Sequence, residues 1–258
     1  MELFSGAIST ISPLTLLPGN CSPCLQPIQP QNHCLCNLCI SELPWLKTQC
    51  QRCATPLNHN NLCPECQQNL PPFRRCVAAF EYQKGAIDKL ILDIKTNPHS
   101  PEATQLSNLL SDVISRAYQN SAMPIIMIPV PLHWRKLLMR GFNQSTNIAS
   151  SLSRKLNNTV ILDNTCLRRA SSSPQHLKSR SERLRGMRNA FRMRNNIDDE
   201  FDIKANRTNN SIRGNSVAIV DDVVTSGATA GSLASTLIKA GAKHVDIWCI
   251  ARTGWHIM

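Results

Sequence analysis

Four C-x-x-C pairs, Cys21/Cys24, Cys36/Cys39, Cys50/Cys53 and Cys63/Cys66, lie near the start of this 258-residue chain, 11, 10 and 9 residues apart. The segment is rich in Pro, Asn and Gln and short of large apolar side chains. It lacks the means to build a core and needs a metal ion to fold. Zinc takes four thiolates in a tetrahedron, so eight cysteines make two closed, structural sites. Sequential pairing gives Cys21, Cys24, Cys36 and Cys39 for one site and Cys50, Cys53, Cys63 and Cys66 for the other. The near-equal gaps also allow a crossed arrangement, and His33 and Cys34 beside the second knuckle could substitute but read as spare. Cys76 reads as a small apolar residue in a strand.

Clustered thiols without a secretory leader imply metal ligation and not disulfides, hence a cytoplasmic location. Residues 1–20 carry no basic start and are interrupted by Ser, Thr and Pro, which reads as a short arm. No apolar run reaches the roughly 18 residues of a spanning helix, so membrane insertion is not expected.

After the metal module at 21–70 the pattern changes. Residues 73–258 alternate apolar strand-length runs with helical periodicity, which argues for a parallel α/β sheet. Ile87, Leu90, Ile91 and Ile94 mark one helix within 84–95. Leu106, Leu109, Leu110, Val113 and Ile114 mark a second within 102–118. Strands are expected at 76–82, 125–130, 160–162, 217–220 and 245–250, with helices at 143–156 and 230–240. Residues 171–188 read as a basic loop and 195–215 as an Asn-rich loop or insertion.

One junction carries chemistry. The strand Val217–Val220 runs into Asp221 and Asp222, then into Thr225, Ser226, Gly227, Ala228 and Thr229 at the start of a helix. Ligands of open α/β sheets bind at the carboxyl ends of the strands. Backbone N–H groups at a helix start receive an anion, and the hydroxyls add donors. Two carboxylates repel phosphate but suit vicinal hydroxyls, which donate. Neither a Walker loop nor a dinucleotide fingerprint is present. The 13-residue stretch VAIVDDVVTSGAT closely resembles the phosphoribosyl-pyrophosphate loop of type I phosphoribosyltransferases.

A second anion-binding element is expected upstream. In IPVPLHWRKLLMRGFNQS, residues 128–145, Arg135, Lys136 and Arg140 can face a pyrophosphate, Gly141 can turn the chain and Asn143 can start a helix. Gln144 and, further on, Arg168, Gln175, Lys178, Arg183, Arg185 and Asn189 extend the polar set toward a loop able to close over a charged ligand. The net charge of +11 is uneven. Residues 133–194 hold 14 Lys or Arg against Asp163 and Glu182, whereas residues 1–70 hold two basic and three acidic side chains. Such an excess suits a polyanion.

Taken together, the C-x-x-C pairs, VPLHWRKLLMRGFNQ, the polar run from Arg168 to Phe191 and VAIVDDVVTSGAT resemble the ComF family over about residues 20–252. The resemblance implies a type I phosphoribosyltransferase fold behind a double zinc ribbon. It also implies a role in competence, handling single-stranded DNA during natural transformation, with a competence helicase or recombination proteins as partners. In such a site the five residues Thr225–Thr229 hold the 5′-phosphate. Asp221 and Asp222 serve the ribose and the reaction centre. Arg135, Lys136, Arg140, Gln144 and Arg183 serve pyrophosphate, and Mg²⁺ accompanies the phosphoribosyl pyrophosphate. The alternatives are an active phosphoribosyltransferase of nucleotide metabolism, whose acceptor pocket is not legible, and a regulator that senses phosphoribosyl pyrophosphate.

Overall fold

The computed structural model describes residues 19–28, 34–58, 61–156, 159–162, 166–168, 190–194 and 211–254. The loops expected at 171–188 and over most of 195–215, and all but the end of the arm at 1–20, lie outside the described residues. The chain divides into two compact units, residues 1–42 and 43–258.

In the first unit, β1 (Gly19–Asn20) pairs antiparallel with β2 (Pro27–Ile28), and α1 (Asn37–Ser41) follows. Within the second unit, α2 (Pro64–Gln68) repeats the form of α1. The thiol of Cys36 caps α1 by accepting from the Cys39 N–H, and the thiol of Cys63 caps α2 by accepting from the Cys66 N–H. The sequence repeat is thus a repeat of local structure: the first cysteine of a knuckle ends an extended stretch, and the second sits on the helical turn it caps.

The remainder of the second unit runs β3 (Arg75–Tyr82), α3 (Ala86–Thr96), α4 (Pro101–Ala117), β4 (Ile126–Pro129), α5 (Trp134–Arg140), α6 (Gln144–Lys155), β5 (Val160–Ile161), β6 (Cys166–Arg168), β7 (Phe191–Met193), β8 (Ser216–Val224), α7 (Ala228–Lys239) and β9 (His244–Thr253). Strands β3, β9, β8, β4 and β5 form one parallel sheet in that order, and β6 and β7 form a separate antiparallel pair. Among the described residues no helix is long and apolar enough to cross a membrane.

Side chains alternate across the sheet, so each central strand feeds two cores. Val217 and Ile219 of β8, with Val245 and Ile247 of β9, join Ala230, Leu233, Ala234 and Leu237 of α7. The alternate residues of β9 turn toward α4. There the Trp248 indole N–H donates to the Tyr118 hydroxyl at 3.2 Å, which donates to Asp246 at 2.6 Å. Arg74 grips the same carboxylate with two bonds of 3.0 and 2.5 Å. Asp246 is fully buried, so this chain of bonds supplies its solvation.

The expected stripe of α3, Ile87, Leu90, Ile91 and Ile94, is buried, and so are Leu106, Leu110 and Ile114 of α4, whereas Leu109 and Val113 of the same expected stripe are half-buried. Strands β8 and β9 extend further than their apolar runs. Pairing between them continues through Asp221, Val223 and Val224 opposite Cys249, Ala251 and Arg252. A sheet that keeps its hydrogen bonds carries polar residues at its carboxyl end, where a ligand can reach them. Replacing Tyr118 by Phe leaves the Trp248 N–H without its acceptor in the core. The expected loss is about 1–3 kcal/mol in denaturant unfolding, with a change in indole fluorescence.

Candidate functional site

The site begins where β8 ends. Because β8 continues to Val224, Asp221 and Asp222 are strand residues whose side chains leave on opposite faces. Asp222 is buried, and its Oδ2 lies 3.0 Å from the Lys95 ammonium of α3. That contact is an ion pair and not a well-directed hydrogen bond, so the oxygen keeps acceptor capacity. Asp221 keeps an edge in solvent but is otherwise enclosed. Its Oδ1 accepts from the Asp222 N–H at 3.0 Å and from the Ser145 hydroxyl at 3.3 Å.

The electrostatics separate the two acids. Burial and the neighbouring Asp222 charge push Asp221 well above the usual carboxylate range. Burial acts the same way on Asp222, but the Lys95 ammonium outweighs it and holds Asp222 below that range. The two carboxylates therefore titrate apart, Asp222 favouring its ionised form and Asp221 its protonated form until a cation or a donor-rich ligand offsets the repulsion.

Beyond Val224 the chain passes through Thr225 and Ser226, both exposed, to Gly227, which adopts φ 74° and caps α7. A Cβ at Gly227 would meet no neighbouring atom, so backbone conformation and not space demands glycine. The Ala228 N–H reaches the Ser226 hydroxyl at 3.4 Å, and the next N–H groups of α7 lack helical acceptors. Thr225, Ser226, Gly227, Ala228 and Thr229 thus form a short turn that offers hydroxyls and helix-start N–H groups next to the acid pair in the chain.

The upstream element divides. Asn143 caps α6: its side chain accepts from the Ser145 N–H at 3.1 Å and donates to the Val130 carbonyl at 3.1 Å. Gly141 closes α5 in the left-handed region. Arg140 donates to Gln144 at 3.0 Å, one residue before the serine that touches Asp221. Through Ser145 this stretch reaches Asp221. Arg135 lies over the Trp134 ring and Lys136 is exposed; among the described residues neither bonds to the acids or to the loop. Of Arg168 only the backbone, in β6, is described. Gln175, Lys178, Arg183, Arg185 and Asn189 lie outside the described residues. Lys95 and Ser145 touch the acid pair and Arg252 donates to the Val224 and Thr225 carbonyls; none of the three was named in the sequence analysis.

Two sets of thiols gather sequentially, Cys21, Cys24, Cys36 and Cys39 in one and Cys50, Cys53, Cys63 and Cys66 in the other, each with all sulfurs within 4.8 Å. The crossed arrangement is therefore not adopted. A Zn–S bond of about 2.3 Å places tetrahedral sulfurs roughly 3.8 Å apart. The Cys24–Cys36 and Cys53–Cys63 separations are 3.8 and 3.7 Å. Burial raises Cys21 and Cys50, but bonds from backbone N–H groups prevail and bring each to about 7. Burial and the neighbouring thiols push Cys39 and Cys66 far up. Four thiols this close ionise together only around a cation, so both sets fit structural zinc. Cys34 is buried outside the first set, and His33 lies outside the described residues.

The chain is 33% identical over 240 residues to the DNA utilization protein YhgH of Shigella flexneri, covering 92% of this chain and 98% of that protein. It is 26% identical to competence protein F of Haemophilus influenzae, over 91% and 90% of the two chains. Identity to competence protein ComFC of Bacillus subtilis is 23%, over 85% and 84%. No family model matches the chain. Among solved structures, a hypoxanthine phosphoribosyltransferase from Staphylococcus aureus overlaps 60% of this chain and 68% of its own at 14% identity and a TM-score of 0.34. A purine phosphoribosyltransferase from Pyrococcus horikoshii Ot3 overlaps 60% and 75% at 16% identity and a TM-score of 0.32. Likeness at that level is loose, and nothing about ligand or chemistry follows from it.

The raised Asp221 makes a signed prediction. Its folded state favours the proton, so its contribution to stability is full below the unfolded pKa and is lost as pH rises toward the folded one. Asp221→Asn is expected to stabilise the ligand-free protein at neutral pH, the gain shrinking by at most about 1.4 kcal/mol per pH unit and vanishing below about pH 4. Urea unfolding of both proteins across pH 4–8 measures it. A variant less stable than the parent at pH 7 contradicts it.

Proposed function

The chain belongs to the ComF family, and on that premise we propose that it binds phosphoribosyl pyrophosphate at the β8–α7 junction and single-stranded DNA along its basic segment. It acts in the cytoplasm on DNA taken up during natural transformation, beside a competence helicase or recombination proteins. The observation that carries this reading is the acid pair on β8 leading into the Thr225–Thr229 turn. There helix N–H groups and hydroxyls favour a phosphate, and carboxylates beside them favour ribose hydroxyls.

The roles divide by accessibility. Thr225, Ser226, Gly227, Ala228 and Thr229 hold the 5′-phosphate. Asp221, at the solvent edge, meets the ribose, and Asp222, held by Lys95, backs it. Arg140 and Gln144 serve the pyrophosphate side, joined by Arg135, Lys136 and Arg183 from the basic segment. Mg²⁺, when bound with the ligand, neutralises the pyrophosphate oxygens. The division into an arm at 1–20, a metal module at 21–70 and a binding domain at 73–258 belongs to this proposal.

A second reading keeps the site and adds transfer: an active phosphoribosyltransferase. The acid pair favours it, because carboxylates stabilise positive charge developing at the anomeric carbon. Pyrophosphate release with Mg²⁺ and a panel of bases or amines supports transfer. Saturable ligand binding without release across the panel supports a binding or sensing role.

The DNA arm is tested by anisotropy of a labelled single-stranded oligonucleotide. Log affinity is expected to fall linearly with log salt, with a slope of about −0.7 for each phosphate neutralised. Charge reversal at Arg183 and Arg185 should make the slope shallower. A salt-independent affinity, or one indifferent to the reversal, removes DNA from the account.

A further inference from the structure

Arg252, near the end of β9, is buried, and its guanidinium touches two parts of the molecule that the sequence places far apart. On one side it donates to the backbone carbonyls of Val224, at 3.2 Å, and Thr225, the last strand residue and the first loop residue of the phosphoribosyl site. On the other, its Nε donates to the carbonyl of Cys53 at 2.9 Å and a terminal nitrogen donates to the Thr55 hydroxyl at 2.7 Å. The Thr55 oxygen lies 3.1 Å from the Cys53 sulfur. Because that oxygen accepts from Arg252, its proton is free to point at the sulfur. A continuous line of hydrogen bonds thus runs from a metal-ligating thiol of the second cluster to the phosphate loop.

Two further features tie this line to the thiol set. Among the described residues no carboxylate pairs with Arg252. A buried cation needs a counter-charge, and four thiolates on a divalent ion leave the second cluster anionic. The residue between Cys53 and Thr55 is Ala54, fully buried with φ 56°. Leu25, the residue after Cys24, has the same left-handed backbone at φ 60°, so the conformation belongs to the knuckle turn itself. The Ala54 N–H donates to the Cys50 carbonyl at 3.0 Å, so the turn that presents both acceptors to Arg252 is built directly on the metal-ligating pair.

We propose that Arg252 is a positioning residue that couples the second cysteine cluster to the Val224–Thr229 loop, so that loss of metal loosens the phosphate site and an occupied phosphate site retains the metal. The reciprocal half is required by linkage. It rests on the proposed phosphoribosyl site; the first half does not.

The test uses the full chain with the first cluster removed by Cys21→Ser and Cys24→Ser, so that released zinc comes from the second cluster alone. Stripping that zinc with a chelator is expected to speed amide exchange at residues 224–229 by about fivefold or more. Arg252→Lys and the milder Thr55→Val should do so with zinc still bound, as native mass spectrometry counts it. Unchanged exchange on stripping, or in both substituted proteins, overturns the proposal. In the ligand arm, saturating phosphoribosyl pyrophosphate with Mg²⁺ should slow zinc transfer to a chromogenic chelator by a similar factor, and Arg252→Lys should abolish the effect. Calorimetry on the same samples separates the failures. If the ligand does not bind, the proposed function fails while the exchange arm still decides the coupling. If it binds and zinc transfer is unchanged, the coupling fails and the function stands.

Discussion

The Lys95–Asp222 ion pair lets two consecutive carboxylates sit at the end of a central strand. Unpaired, Asp222 would be a charge in a low-dielectric interior, a cost of several kcal/mol in real proteins. With α3 delivering Lys95 to 3.0 Å, Asp222 stays ionised and the strand keeps its pairing to Val224. Asp221 then bears the repulsion, and burial and charge together favour its protonated form. A site primed this way gains most when a ligand brings hydroxyl donors or a metal ion to the solvent edge of Asp221. Stability is given up at the position where binding is expected, the usual exchange at functional sites.

Much of the sheet domain was legible. The i, i+3, i+4, i+7 apolar spacing at Ile87–Ile94 corresponds to one buried face of α3, and Ala230, Leu233, Ala234 and Leu237 to the core face of α7, while Ile238, expected on the same stripe, is exposed. Asn143 and Gly141 act where their chemistry suggests, as a helix cap and a left-handed stop. What escaped depends on distant partners. Lys95 looks like an ordinary charge in the last turn of a helix, and its function arises only when the fold sets α3 against β8. Arg252 looks like the polar end of an apolar run. It becomes a hub because pairing of β8 with β9 continues past the apolar residues. The short helix α5 also escaped. Its Leu137, Leu138 and Met139 are exposed, so no buried stripe marks it.

The cysteine repeat was legible as chemistry and ambiguous as topology. Spacing alone admits sequential and crossed pairing, and the equal N–H to sulfur bonds in the two sets show why the sequential one folds. Cys36 N–H reaches the Cys21 sulfur and Cys63 N–H the Cys50 sulfur, both at 3.3 Å. Each knuckle thus orders the next within its own set. The repeat does not extend to surroundings. The second set lies within the unit that holds the sheet, where Ala54 joins the core beneath α7. Two similar metal sites therefore carry different structural burdens.

Binding of a phosphoribosyl group at the β8–α7 junction, through the acid pair and the loop, is the proposal on which the proposed function rests. The most direct measurement is calorimetric titration of the zinc-loaded protein with phosphoribosyl pyrophosphate and Mg²⁺, beside a variant carrying Asp221→Ala and Asp222→Ala whose fold is verified by circular dichroism. Saturable one-site binding to the parent and its loss in the folded variant are expected. Absence of binding to the parent, or equal binding by both proteins, would contradict it.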